Sequence, residues 1–204
     1  RIEPLNIIVN VLVTGGAGYI GSHTVVELLC TGHQVIILDN FSNSSPKAID
    51  RIIQICKDDG LSELPLTVVD GDICDQQKLK EVFSENSIDA VIHFAGLKAI
   101  GESVEKPLDY YKNNVQGSIT LFQAMRESGV CHLIFSSSAT VYGDPDNLPL
   151  SEKSPSKEPT NPYGRSKLMI EGILKDLALS DKKWHIALLR YFNPVGAHPS
   201  GLIG

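Results

Sequence analysis

The sequence predicts an α/β domain built on a doubly wound parallel sheet, and three observations carry that expectation. Short apolar runs alternate with amphipathic segments along the whole of the 204 residues. The apolar runs lack polar alternation, as strands covered on both faces should. A glycine turn, Gly15-Gly16-Ala17-Gly18-Tyr19-Ile20-Gly21, joins the first apolar run to the first helical segment, which is where a sheet of this kind holds its ligand.

Taken in order, Ile7–Thr14 reads as the first strand and Tyr19–Cys30 as the first helix. Gln34–Asp39 is the second strand, filled by Ile36, Ile37 and Leu38. Pro46–Lys57 reads as a helix, because proline's fixed φ and missing N–H suit the first helical position. Leu66–Asp70, Ile88–Phe94 and His132–Ser137 are further strands, separated by helices over Gln76–Glu85 and Pro107–Ser128. Asn161–Leu179 is the last helix and His185–Phe192 the sixth strand. The connection from Gly143 to Pro162 is dense in turn residues: Asp144-Pro145-Asp146-Asn147, Ser154-Pro155 and Pro159-Thr160-Asn161-Pro162. A loop of that length beside the carboxyl edge of a sheet is expected to be functional. Residues 1–10 are expected to be an N-terminal extension, and residues 11–204 the nucleotide-binding domain that carries the catalytic residues.

Composition narrows the function classes. With 42% hydrophobic and 21% charged residues the chain is globular in type. A net charge of -6 without a compensating basic face argues against a general binder of nucleic acid or anionic membrane. Cys30, Cys56, Cys74 and Cys131 are scattered, with no C-x-x-C pair. They read as small buried hydrophobes in a reducing compartment. The histidines form no metal-ligand spacing, so no metal is assigned. No apolar run reaches the roughly 18 residues of a membrane span, and no signal-peptide pattern is present. A cytoplasmic address is expected.

In the glycine turn, Gly16-x-Gly18-x-x-Gly21 satisfies the G-x-G-x-x-G form, with Gly15 just before it. Glycine lets the backbone turn tightly and approach a pyrophosphate, and it lets the helix sit close to the strand. The helix N-terminus then offers free N–H groups and a partial positive charge to the anion. Asp39 ends the next strand, 18 residues past Gly21. That is where a carboxylate accepts hydrogen bonds from the adenosine ribose. The same carboxylate would repel a 2′-phosphate, and no arginine follows in Asn40-Phe41-Ser42-Asn43-Ser44. The expected cofactor is therefore NAD.

Tyr163 and Lys167 are four residues apart and share one face of the last helix. A free phenol, with a pKa of about 10, is a poor base at neutral pH. A nearby ammonium in a shielded site, together with a cationic nicotinamide, is expected to lower it. Ser136-Ser137-Ser138 follows the fifth apolar run, at the strand's carboxyl end. A hydroxyl there is placed to pass a proton to a sugar oxygen.

Thr14–Gly21, Leu38-Asp39-Asn40, His93–Lys98, Ser136–Gly143, Asn161–Lys167 and Leu189–Pro194 together resemble the UDP-galactose 4-epimerase family, within the extended short-chain dehydrogenase/reductase superfamily. The likeness runs from about Val11 to Gly204. It implies Tyr163 as base, Lys167 as its partner and Ser138 as third catalytic hydroxyl. It implies a cofactor site at Gly15, Gly18, Tyr19, Ile20, Gly21, Asp39, Asn40, Phe41, Ser42, Asn43 and Ser44. Asp72, Ile73, Phe94, Ala95, Gly96, Leu97, Lys98, Asn113, Tyr163, Lys167 and Phe192 complete that site. Lys98, Ser138, Tyr163 and Asn193 would face the sugar nucleotide.

The implied reaction interconverts UDP-galactose and UDP-glucose through a 4-keto sugar, with NAD retained. A related dehydratase would carry an Asp-Glu pair where Ala139 and Thr140 stand, so dehydration is not expected. The resemblance also implies a smaller substrate domain beyond Gly204 and opens the way to a homodimer. Without that domain the chain is expected to epimerise poorly. The alternatives are another NAD-dependent UDP-sugar epimerase or decarboxylase, and a truncated, non-catalytic NAD-binding module.

Overall fold

β1 (Asn10–Thr14) lies at the centre of a six-stranded parallel sheet in the order β3-β2-β1-β4-β5-β6. The other strands are β2 (Gln34–Asp39), β3 (Leu66–Asp70), β4 (Ala90–His93), β5 (His132–Ser138) and β6 (His185–Tyr191). The computed structural model of the chain describes residues 8–204. Chain order reverses between β1 and β4, so the strand ends part there and leave a crevice for a ligand.

Both faces of the sheet are apolar, as the unalternating runs predict. Leu12, Ile36, Leu38, Val91, Leu133 and Phe135 point to one side. There they pack against α3 (Gln76–Glu85), α6 (Gly117–Glu127) and α7 (Pro162–Ser180). Val11, Val13, Val35, Ile37 and Ile92 point to the other side, against α1 (Tyr19–Cys30) and α2 (Lys47–Asp58). α2 shows the cause plainly: Ile49, Ile52, Ile55 and Cys56 recur at helical spacing and are buried together. On the α1/α2 side no helix among the described residues covers β5 and β6, leaving Ile134 36% and Leu189 41% exposed.

Several boundaries differ from expectation, each for a local reason. β1 begins at Asn10, whose N–H donates to Asp89 Oδ2 at 2.8 Å. Ile8 and Val9 precede the ladder, and the expected start at Ile7, like most of the N-terminal extension, lies outside the described residues. β4 stops at His93 because the N–H groups of Phe94 and Ala95 both turn to the Thr14 carbonyl, at 3.0 Å each. Pro46 sits just before α2, which starts at Lys47. A short helix, α4 (Ile100–Glu105), was not expected; it buries Ser103 alone and so shows no apolar period.

The helix expected over Pro107–Ser128 is three segments: α5 (Pro107–Tyr110), a wide π turn at Tyr111–Gln116, and α6. π turns inside helices mark functional sites. This one carries Asn113 to the cleft and Asn114 into the interior.

Candidate active site

The crevice at the strand-order switch opens into a cleft of about 680 Å³. Its floor is the glycine turn. Gly15, at φ +70, donates its N–H to the Leu38 carbonyl at 2.8 Å. A Cβ on Gly15 would stand 2.6 Å from the Ala95 nitrogen, and one on Gly21 would collide with the Gly15 carbonyl oxygen. At Gly15 and Gly21 the turn therefore packs helix, strand and loop together with no room for a Cβ. α1 starts at Tyr19 after Gly18, with no side-chain cap, so its first N–H groups are left for the cleft.

Asp39 closes one end of the cleft, 6% exposed. Its Oδ2 accepts from the Ala17 N–H, and its Oδ1 from the Phe41 N–H and the Ser44 hydroxyl, each at 2.9 Å. A carboxylate has about four acceptor positions. Three are used, so one remains free to accept from a ligand hydroxyl.

At the other end, α7 starts on a well-formed cap, with Asn161 Oδ1 accepting from the Gly164 N–H at 2.8 Å and Pro162 in the first turn. That start aims Tyr163 and Lys167 into the cleft beside Ser138. The Lys167 ammonium donates to the Ser136 carbonyl at 2.8 Å and lies 4.8 Å above the Phe135 ring. Burial lowers its pKa to about 8. Two of its three N–H donors are left for the cleft. Ser138 Oγ accepts from the Thr140 N–H at 3.2 Å and the Thr140 hydroxyl at 3.0 Å. Its own proton is thereby free to donate. Burial pushes the Tyr163 phenol above its ordinary value, and the Ser138 hydroxyl pulls it partly back. The expected lowering by Lys167 is thus not produced by the protein groups alone, because the ammonium is turned toward Ser136.

Most of the expected positions share this one cleft. Gly15, Gly18, Tyr19, Ile20, Gly21, Asp39, Asn40, Ser42, Asn43 and Ile73 line the side of the cleft at the glycine turn. Phe94, Ala95, Gly96, Leu97, Lys98, Asn113, Ser138, Tyr163, Lys167, Phe192 and Asn193 line the rest. Phe41, Ser44 and Asp72 do not. Phe41 adopts φ +52, which carries its ring into the α1/α2 core. Ser44 turns to Asp39, and Asp72 accepts from Asn40 Nδ2 at 2.8 Å and from the Cys74 N–H at 2.7 Å. These three hold the residues that face the cleft.

Other lining positions were not assigned to the site from the sequence: Gly71 and Ile100, and Leu38, Ser136, Ser137, Ala139, Thr140, Tyr191 and Pro194 within strings that carried the resemblance. Nor was the clamp behind the site. Asn114, 1% exposed, accepts from the Leu97 N–H at 2.8 Å. It donates to the Leu97 carbonyl at 2.9 Å and to Ser166 Oγ at 3.1 Å, tying the cleft wall to α7. The doubled Asn113-Asn114 was the available signal, since an amide in a helix interior competes with the backbone unless tertiary partners hold it. Among the described residues no three His, Cys, Asp or Glu side chains are grouped to hold a metal. No helix there is long and apolar enough to cross a membrane.

The model of the NAD dependent epimerase/dehydratase family matches residues 11–203. A UDP-glucose 4-epimerase of Haemophilus influenzae is 56% identical over 194 residues, which are 95% of this chain and 56% of that protein. One from Bacillus subtilis is 56% identical, covering 95% of this chain and 55% of that one. The crystal structure of the Bifidobacterium longum UDP-glucose 4-epimerase, in complex with NAD+ and UDP, superposes with a TM-score of 0.91 at 54% identity. That match covers 96% of this chain and 56% of the other. The chain thus spans a little over half the length of the relatives it matches. By the family match, the parallel sheet and the glycine turn, this chain belongs to the NAD dependent epimerase/dehydratase family.

Proposed function

We propose that this chain is the cofactor-binding and catalytic part of an enzyme that interconverts UDP-galactose and UDP-glucose at C4, with NAD held as a retained group. One observation carries the reading: Ser138, Tyr163 and Lys167 meet in the same cleft as the glycine turn and Asp39. The relatives bearing the name UDP-glucose 4-epimerase support it.

In this reading Tyr163 takes the proton of the sugar C4 hydroxyl. Ser138, its oxygen already satisfied by Thr140, donates its hydrogen toward the same oxygen pair and smooths the transfer. Lys167 keeps a charge at the base of the cleft and orients its remaining donors there. NAD, when bound through the glycine turn and Asp39, supplies the hydride acceptor at C4 and a cationic ring that draws the phenol toward phenolate. Lys98 and Asn193 contact the sugar nucleotide. The same proposal includes a smaller substrate domain following residue 204 in the whole protein, and a cytosolic address. It includes a homodimer, whose contact is the shallow groove lined by Leu108, Val115, Ile119 and Met169.

The test is conversion of UDP-galactose to UDP-glucose by the NAD-loaded chain. Tyr163→Phe removes the proton acceptor and is expected to lower the rate about 10²–10⁴-fold, the usual weight of a general base. Undiminished conversion by that variant sinks the mechanism.

A further inference from the structure

After β6 the chain turns back across the start of α1. Residues 192–194 line the cleft, and Asn193 is the residue assigned above to the sugar nucleotide. Gly196 follows at φ +121. His198 then opens a small closed turn: its N–H donates to the Ile203 carbonyl at 2.9 Å, and the Gly201 N–H donates to the His198 carbonyl at 2.8 Å. Ile203, 6% exposed, is buried in the α1/α2 core. The strap is thus pinned at its far end by an apolar side chain.

Between β6, whose last residue Tyr191 pairs with Ser138, and that far pin, a single hydrogen bond ties the strap to the rest of the chain. The Tyr19 hydroxyl donates to the Gly196 carbonyl at 2.6 Å. Among the described residues no other hydrogen bond joins residues 192–203 to the rest of the chain. His23 does not share the task. It meets the Tyr19 ring edge-on at 5.5 Å and lies 6.3 Å from the His198 ring, yet its Nε2 is buried without a partner. Tyr19 is also the first residue of α1, immediately after Gly18, so its backbone belongs to the anion-binding turn. One residue therefore touches both sides of the cleft: its main chain faces the dinucleotide phosphates and its phenol grips the strap.

We propose that Tyr19 is a positioning residue whose hydroxyl holds the strap of residues 192–203, so that filling the glycine turn fixes Asn193 at the substrate side. The proposal rests on the reading of the glycine turn as the dinucleotide site and of Asn193 as a sugar-nucleotide contact. Binding of phosphates at the turn pins the first turn of α1. Through the phenol that constraint reaches Gly196, three residues past Asn193.

The experiment is amide hydrogen exchange by mass spectrometry on the 204-residue chain, with and without saturating NAD+. In the unaltered chain NAD+ is expected to slow exchange both at residues 15–21 and at residues 196–203. In Tyr19→Phe, which keeps the ring against His23 and removes only the hydroxyl, protection at 15–21 remains. Protection at 196–203 disappears, with strap amides exchanging about fivefold faster, the scale of one ordinary hydrogen bond. A tyrosine of purely structural importance would speed the strap equally in both states and leave the NAD+-induced difference intact, which overturns the proposal. Protection at 15–21 but not at 196–203 in the unaltered chain also overturns it while sparing the dinucleotide reading. Absence of protection at 15–21 overturns both.

Discussion

Lys167 is an ammonium that folding removes almost entirely from water, 6% exposed, with one carbonyl as its recorded partner. Its pKa in the folded chain is about 8, against 10.5 when solvated. The unfolded chain therefore binds more protons than the folded one between those values, and stability attributable to this group rises with pH from about 8 to 10.5. Below pH 8 the penalty is fully present. Lys167→Met should accordingly raise stability at pH 7 by about 1–3 kcal/mol while abolishing conversion, and the gain should vanish near pH 10.5. Urea denaturation at pH 7 and pH 10.5 checks it; an equal gain at both would show that packing, not charge, is responsible. His93 shows the opposite solution. It is 1% exposed and held between Thr14 Oγ1 at 2.7 Å and Ser118 Oγ at 2.9 Å. Ser118 donates its own proton to the Asn114 carbonyl, so it must accept from His93 Nε2–H, leaving Nδ1 to accept from Thr14. Burial first, and the Lys167 charge second, lower its pKa to about 3, so it stays neutral.

Between elements, one buried ion pair joins α7 to both strands at the sheet's edge. Glu171, fully buried, accepts from Arg190 Nε at 2.9 Å and Nη2 at 2.6 Å, and from the Ser137 hydroxyl at 2.7 Å. Burial alone would raise its pKa, but the Arg190 and Ser137 hydrogen bonds win and hold the carboxyl below the usual range. Arg190 also lies 4.7 Å from the Tyr142 ring, so it braces the segment that follows Ser138. Glu171→Ala strands this cation against a partly buried wall, and should cost about 3–5 kcal/mol in urea denaturation, whereas replacing both partners by apolar residues should cost much less. Equal losses would mean that the pair itself contributes the stability. Nothing in the sequence joins residues 137, 171 and 190, because the pairing exists only once α7 has packed on β5 and β6. The same holds for Asn114 and for Tyr19 with Gly196. What was legible was local: Tyr19–Cys30, Gln34–Asp39, Leu66–Asp70 and Gln76–Glu85 carry their own turns, caps and apolar runs, and the structure places them at those bounds. The π turn was not legible, since a one-residue widening leaves hydrophobic periodicity nearly unchanged.

For the whole molecule, the cleft is unequal at its two ends. The dinucleotide side is built from packed backbone: a glycine turn with no room for a Cβ, the open N-terminus of α1, and a carboxylate fixed by three hydrogen bonds. The side proposed for the sugar is one strap and a few side chains, with Phe192 62% exposed and Val195 89% exposed. Binding energy scales with such preformed contacts, so NAD+ should stabilise this chain far more than a sugar nucleotide does. At a free concentration a hundred times its dissociation constant a ligand adds about 2.7 kcal/mol. For a domain of this size that is a rise in Tm of roughly 5–11 °C. UDP-galactose alone at the same millimolar concentration should shift Tm by less than about 2 °C, because its remaining contacts belong to the proposed substrate domain. Differential scanning calorimetry with each ligand separately decides the matter. A shift with UDP-galactose as large as that with NAD+ would mean that these residues hold the sugar nucleotide unaided. The proposal of a separate substrate domain would then fail, while the cofactor reading would stand.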